Sequence, residues 1–171
     1  MVMRLLCLLL LLVAPLQAAA SSALQADLKQ LVSLSSDVVV GQVQDRQSFW
    51  QGQRIYTKHI ISVDDTWRGP STQKSVEVLT LGGVVGDLGQ HVAGSPKLQL
   101  GDQLVLFLAR DSNQGLHPVG LSQGVFYIGV ATPKGHPTYR DLREFDFIGN
   151  QHEVFPGTLE ALKVSVKEVL Q

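Results

Sequence analysis

The stretch RIYTKHIISVDDTW, residues 54–67, alternates in polarity along its length. Ile55, Thr57, His59, Ile61, Val63 and Trp67 fall on one face, and Tyr56, Lys58, Ser62, Asp64 and Thr66 on the other. A period of two places successive side chains on opposite sides of a pleated backbone, so this segment reads as a half-buried β-strand. Downstream, Arg68-Gly69-Pro70-Ser71 is a turn, because glycine supplies positive φ and proline removes a ladder donor. Ser75 to Leu81 alternates again and gives the next strand. Upstream, the β-branched run Val38-Val39-Val40, continuing to Val43, suits a buried strand.

Further along, GGVVGDLGQHVAGSPK, residues 82–97, holds five glycines and no clear periodicity. It reads as a long loop, and such loops inside small domains often carry function. Leu98 to Leu100 leads into a Gly101-Asp102 turn. The continuous apolar run Leu104 to Ala109 follows, and a strand apolar on both faces belongs at the centre of a sheet. Val119 to Val130 reads as another strand, with bends at Gly120 and Gly124. After the turn at 132–137, Thr138 to Leu142 reads as an edge hairpin. Leu24, Leu28, Leu31 and Leu34 recur at helical spacing and predict a helix over 22–34. At the other end, Thr158 caps a predicted helix whose apolar stripe is Leu159, Leu162, Val166 and Val169. These elements make a mainly β domain: a small OB-like (Greek-key) β-barrel of five to six strands, flanked by an N-terminal and a C-terminal α-helix. A β-sandwich would prefer seven or more evenly spaced strands.

The first 20 residues read as a cleaved signal peptide. Arg4 forms the positive n-region, Leu5 to Ala14 the apolar h-region, and Ala18-Ala19-Ala20 the small-residue cleavage site. The apolar stretch is about half of the roughly 20 residues that a membrane span requires. Cleavage after Ala20 leaves a single domain over 21–171, in the periplasm or outside the cell, with no further membrane span. Of 14 basic and 15 acidic side chains, only Arg4 is lost, so the mature balance is 13 against 15. That slight acidity argues against nucleic acid as a partner. The one cysteine, Cys7, leaves with the peptide, which excludes disulfides and thiolate zinc sites.

The remaining chemistry is sparse. His59 falls on the apolar face of its strand and reads as a hydrogen-bonded interior histidine. Asp87 and His91 are the one Asp/His pair that could ligate a metal, but their spacing has that meaning mainly on a helix. His117 and His136 precede prolines in turns, and His152 lies in a polar linker. Gly82, Gly83, Gly86 and Gly89 lack the following helix or Gly-Lys-Ser/Thr that phosphate-binding loops need. Gly120-Leu121-Ser122-Gln123-Gly124 spells a nucleophile elbow, yet a strand rather than a helix is expected after it. Asp64 and Asp65 are adjacent on a strand, point to opposite faces, and cannot share a proton. No catalytic residue, cofactor or metal is assigned. Phe49, Trp50, Tyr56 and Trp67, with Arg46, Arg54 and Arg68 near them, read mainly as packing residues.

Residues Ser36 to Val43, Thr66-Trp67-Arg68-Gly69 and Leu100 to Leu108 resemble successive pieces of netrin-like OB-fold domains, the class that contains tissue inhibitors of metalloproteinases. The GG-x-V-G-x-x-G-Q-x-V-x-G-x-P pattern over 82–96 and G-L-x-Q-G-x-F over 120–126 resemble a group of uncharacterised exported bacterial proteins. The first resemblance implies an OB-like barrel and a role in binding a protease. Those inhibitors chelate the protease zinc through an N-terminal cysteine, and a mature chain without cysteine has no counterpart, so no functional residue carries over. The expectation is an exported, non-catalytic binding module for an envelope or secreted protein such as a protease. Its contact surface is the 82–97 loop with Trp50 and Arg54, the named residues being Trp50, Arg54, Gly83, Asp87, Gln90 and His91. The alternatives are a metal-dependent hydrolase using Asp87 and His91, and a structural or adhesive envelope component.

Overall fold

The computed structural model describes residues 21–148 and 153–171. The segment 1–20, predicted as a signal peptide, and His152 lie outside the described residues. The alternating segment is strand β3, Arg54–Arg68, paired antiparallel with β2, Asp37–Gln51, in one long hairpin. Ile55, Thr57, His59, Ile61 and Trp67 are buried as their alternation predicts. The β2 strand runs past Val43 to Gln51, well beyond the apolar segment that announces it. Residues 44–51 project past the core, held extended by the backbone ladder to β3 and by polar side-chain bonds such as those of Gln44 to Ser62 and Arg46 to Gln99.

Three irregularities in the β2–β3 ladder decide how the sheet packs. The register slips between Val38 and Val39, between Val40 and Gly41, and between Val43 and Asp45. Each bulge inserts one unpaired residue and turns the following side chains to the opposite face. Ile61 therefore joins one core cluster and Trp67 the other, although an unbroken strand would place both on one side. Gly41 sits between two of these slips. A Cβ there would lie 2.0 Å from the Ser62 carbonyl oxygen, so no side chain fits where the strands close together.

The other elements follow in chain order. They are β4 (Ser75–Leu81), β5 (Gly83–Val85), β6 (Leu88–Gln90), β7 (Gln103–Arg110), β8 (Leu116–Pro118), β9 (Val125–Ile128), β10 (Thr138–Tyr139) and β11 (Phe145–Phe147). The main sheet has the order β10-β9-β7-β2-β3-β4-β8, and β8 also pairs with β7. Strands β7, β2, β3, β4 and β8 thus close into a ring. Its last link, β4 to β8, is a single parallel bridge from Val78 to Leu116. The β7 run that is apolar on both faces serves both cores. Leu104, Leu106 and Leu108 pack inside the ring with Val39, Val43, Ile61, Val76 and Val78. Val105 and Phe107 face outward, under the helices.

Both helices lie on that outer face. In α1, Leu28–Leu34, and α2, Leu159–Val169, residues Leu31, Val32, Leu162 and Val166 join Trp67, Phe107 and Phe126 in one cluster. Burying each such side chain contributes about 1.5–3 kcal/mol. The first helix is shorter than predicted. Asp27 and Gln30 form a reciprocal capping box that starts it at Leu28, leaving Leu24 exposed. The preceding residues instead form β1, Ser21–Ala23, parallel to β11. The second helix starts as predicted, with Thr158 Oγ1 accepting from the Ala161 amide.

Two predictions in the second half are corrected. The segment 119–130 is not one strand, because Gly120 and Leu121 both adopt φ near +60° and residues 121–124 form a 3-10 turn before β9. That turn is held elsewhere: Gln123 Oε1 accepts from the Ala26 amide at 2.7 Å. The 82–97 segment is not structureless, because β5 and β6 form a small antiparallel hairpin within it. Three-residue strands rich in glycine carry too few side chains to show alternation. Among the described residues, no helix is long and apolar enough to cross a membrane.

Candidate functional site

A cleft of about 710 Å³ opens where the β2–β3 hairpin, the end of β4 and the β5–β6 hairpin meet. Its floor is built from cross-strand pairs. Arg46 lies opposite His59, and Ser48 opposite Thr57, on β2 and β3; Thr57 lies opposite Thr80 on β4. Paired residues share a face at about 5 Å, so these side chains converge. The wall beyond is formed by Gly82 to Val84, Gly89 to Val92 and Ser95 to Gln99.

The hydrogen bonds of the cleft are mostly closed among its own residues. Thr57 Oγ1 donates to the Gly82 carbonyl at 2.7 Å, so the Ser48 hydroxyl, 2.9 Å away, donates to Thr57. Ser48 Oγ in turn accepts from the Val84 amide. Gly83 packs against this pair with φ 140°, and a Cβ there would lie 2.4 Å from both hydroxyl oxygens. Ser95 Oγ donates to the Leu81 carbonyl at 2.7 Å, and Gln90 Oε1 accepts from the Ile55 amide. The β5–β6 hairpin is therefore pinned to the main sheet by specific bonds from both of its ends.

His59 is the exception. Its side chain is 2 % exposed and its Nε2 lies 3.0 Å from Thr80 Oγ1, but its Nδ1 is buried without a partner. Burial, with the Arg46 guanidinium beside it, pushes the imidazole down from 6.5 to about 4, so it is neutral at pH 7. An unsatisfied buried polar group costs about 1–3 kcal/mol, which makes this nitrogen the one energetic anomaly of the cleft.

Four basic side chains line the cleft: Arg46, His59, His91 and Lys97. Among the described residues, no Asp or Glu lines it. Glu144 stands just outside, 2.6 Å from Lys97 Nζ and 3.4 Å from His91 Nε2. Its bond from Lys97 is the main reason its carboxyl lies below the usual glutamate range. Arg46 has no carboxylate among the described residues. Its Nη1 donates to the Leu98 carbonyl at 3.3 Å and to Gln99 Oε1 at 2.7 Å.

Of the residues predicted from sequence, Gly83, Gln90 and His91 line this cleft. Trp50 and Arg54 stand near the tip of the β2–β3 hairpin, and Asp87 sits in the β5–β6 turn; none of the three reaches the lining. The carboxylate facing His91 is that of Glu144. Among the described residues, no group of three His, Cys, Asp or Glu side chains is placed to hold a metal ion. Arg46, Ser48, Thr57, His59 and Thr80 are the cleft residues that sequence reasoning passed over as site residues. The available signal was three polar side chains, Thr57, His59 and Thr80, on strand faces that alternation turns inward.

A second, smaller cavity of about 270 Å³ is lined by Ser122, Tyr127, Asp141, Arg143 and Glu144, with Ser95 and Lys97 shared between the two. Ser122 is buried and its Oγ donates to the Gly94 carbonyl at 2.8 Å. Among the described residues, no histidine lines this cavity to take the serine proton. Burial is the chief reason the Tyr127 phenol is pushed up to about 12. Asp65 likewise serves structure, accepting from Lys163 at 2.6 Å and from the Trp67 indole at 3.0 Å. No protein-family model, curated protein or solved structure matches the chain.

Proposed function

We propose that this protein is an exported, non-catalytic binding module, released by signal cleavage into the periplasm or the medium. In this reading the five-stranded ring is an OB-like, Greek-key barrel, and the cleft at the hairpin end receives a segment of an envelope or secreted protein, such as a protease. The observation that carries the reading is the cleft: about 710 Å³, with polar groups in its lining whose hydrogen bonds are mostly closed internally, His59 Nδ1 being the buried exception. A cavity of that size lies within the usual range for ligand sites. Exposed apolar side chains lie close by, Val84 on the cleft wall and Leu88 on the same hairpin.

A photo-crosslinking residue placed at Val84 or at Leu88, and as control at Glu168 on α2, tests this in the cell envelope. The expected result is one shared adduct from both hairpin positions and none from α2. Gly89→Trp, which fills the cleft from a position whose Cβ meets only a Val84 methyl at 3.7 Å, abolishes that adduct. Adducts that are the same from all three positions, or that survive Gly89→Trp, overturn the proposal.

A further inference from the structure

We infer that the cleft is a carboxylate site, with Arg46 as its cation and the His59–Thr80 pair as its second donor. The inference rests on the binding-module reading and names the chemistry that this cleft selects. It follows from an inventory of free hydrogen-bonding capacity. The hydroxyl protons of Ser48, Thr57 and Ser95 are all committed to protein acceptors. The Thr80 hydroxyl bonds only to His59 Nε2. Either tautomer leaves one proton of this pair unspent, on Nδ1 when Thr80 donates to Nε2 and on Thr80 Oγ1 when Nε2–H donates to it. Gln90 Oε1 and Gln99 Oε1 already accept from Ile55 and Arg46, and among the described residues no carboxylate lines the cleft, so no charged acceptor of the lining answers the donors of the floor. A cleft that holds a cationic donor and no anionic acceptor selects a ligand that brings one.

Charge narrows the class. Lys97 and His91 already face Glu144, whereas Arg46 faces no carboxylate among the described residues. Arg46 is anchored at the cleft wall through one nitrogen, and the rest of its guanidinium fork is available for charge-assisted bonds. Its cross-strand partner is His59, so both donors rise from one pair of the β2–β3 ladder. One uncompensated cation beside one neutral donor matches a monoanion with two acceptor oxygens. A phosphate dianion would leave a charge unmatched. The carboxylate belongs to the partner protein, as an acidic side chain or a chain terminus; a free small acid offers the same chemistry.

The test uses purified mature protein at pH 7, with the His59 ring nitrogens followed by NMR. The probes are acetate, propionate and succinate, and short peptides carrying an internal Glu or a free C-terminus. Acetamide, amidated peptides without acid, inorganic phosphate and chloride at matched ionic strength are the comparisons. Carboxylates are expected to shift the His59 nitrogens saturably while acetamide, phosphate and chloride do not. Arg46→Gln, at an exposed position where folding is not at risk, should weaken binding at least about tenfold. His59→Gln, read by titration calorimetry because it lacks the ring, should weaken it independently. No saturable shift, an equal response to phosphate, or an unchanged affinity in Arg46→Gln overturns the site. Saturable binding of carboxylates with no adduct at Val84 or Leu88 supports the carboxylate site and sinks the protein-partner reading. A specific adduct with no carboxylate response does the reverse.

Discussion

His59 makes the stability of this fold fall with acid in a way that can be separated from every other group. Its imidazole is held at about 4 by burial and by Arg46, against 6.5 for the exposed side chain. In the unfolded chain the ring takes up a proton near pH 6.5; in the folded chain it does so only near pH 4. Above pH 6.5 neither state is protonated and the fold pays nothing. As pH falls between those values the unfolded state gains a proton that the folded state refuses, and stability drops by about 1.4 kcal/mol per pH unit. From pH 7 to pH 4.5 the integrated loss is about 2.5 kcal/mol, and it levels off below pH 4. The carboxyls of Asp65, Asp141, Glu144 and Glu160 are held below their usual values, each chiefly by a side-chain bond from a basic partner. They also stabilise the fold at neutral pH and lose that contribution in acid, but they do so equally in wild type and in His59→Gln. Urea denaturation of both proteins from pH 7.5 to 4.5, read by the fluorescence of buried Trp67, isolates the histidine. The wild type should lose about 2.5 kcal/mol more than the variant over that interval. Parallel curves would refute the reasoning, because the imidazole would then titrate alike in both states.

Arg46→Gln removes the smaller of the two causes acting on His59, so the NMR titration of the ring should move up from about 4 but stop short of 6.5. Arg110→Met strips the Asp37 carboxylate, whose side chain is only 2 % exposed, of its guanidinium at 3.0 and 3.1 Å. Leaving that buried charge unpaired should cost about 3–5 kcal/mol in urea denaturation, and Arg110→Met with Asp37→Asn should recover part of it. Gly83→Ala should cost more than about 1 kcal/mol, since alanine is strained at φ 140° and its methyl would meet the Ser48 and Thr57 hydroxyls. Thr158→Ala removes the cap of α2 and should lower stability by about 1 kcal/mol, seen as a lower urea midpoint with an unchanged slope.

How much was legible in the sequence depended on whether side chains or backbone decided each element. The β3 strand was readable because one of its faces packs against a core, and burial imprints alternation on a sequence. The β7 run was readable as central because both of its faces are covered. Residues 44–51 of β2 carry no such imprint, since the hairpin tip reaches past the core and is held by ladder bonds and scattered polar side-chain bonds rather than by burial of an apolar face. Arg46 was hidden there, and the cleft with it. His59 was recognised as an interior, hydrogen-bonded histidine. That its second nitrogen has no partner depends on where Thr80, 21 residues away in sequence but on the adjacent strand, places its hydroxyl. The bulges of the β2–β3 ladder were equally invisible, and they move Trp67 from one core to the other. A strand pattern reports its period, not the single residue that breaks it.

The outer face of the ring and its hairpin end are consequently built on different principles. Under the helices, Trp67, Phe107, Phe126, Leu162 and Val166 fill the space with apolar volume, and nothing is left to satisfy. At the hairpin end the inward positions of the same strands carry Thr57, His59 and Thr80, which need partners rather than volume. His59 and Thr80 bond to each other, and Thr57 finds its partner in the Gly82 carbonyl at the start of the β5–β6 hairpin, which comes this close only because Gly83 has no side chain. The Gly82 amide bonded to the Ile55 carbonyl at 2.8 Å, together with Gln90 and Ser95, then fixes both walls through main-chain atoms. A cleft held open in this way has little ordering left to lose when a ligand enters, so the donors it leaves unspent act at nearly full strength. Arg46 is the one long, exposed side chain among them, anchored at one nitrogen and free to adjust. In the proposed carboxylate site, rigidity at the His59–Thr80 pair supplies a fixed direction and adaptability at Arg46 supplies a charge.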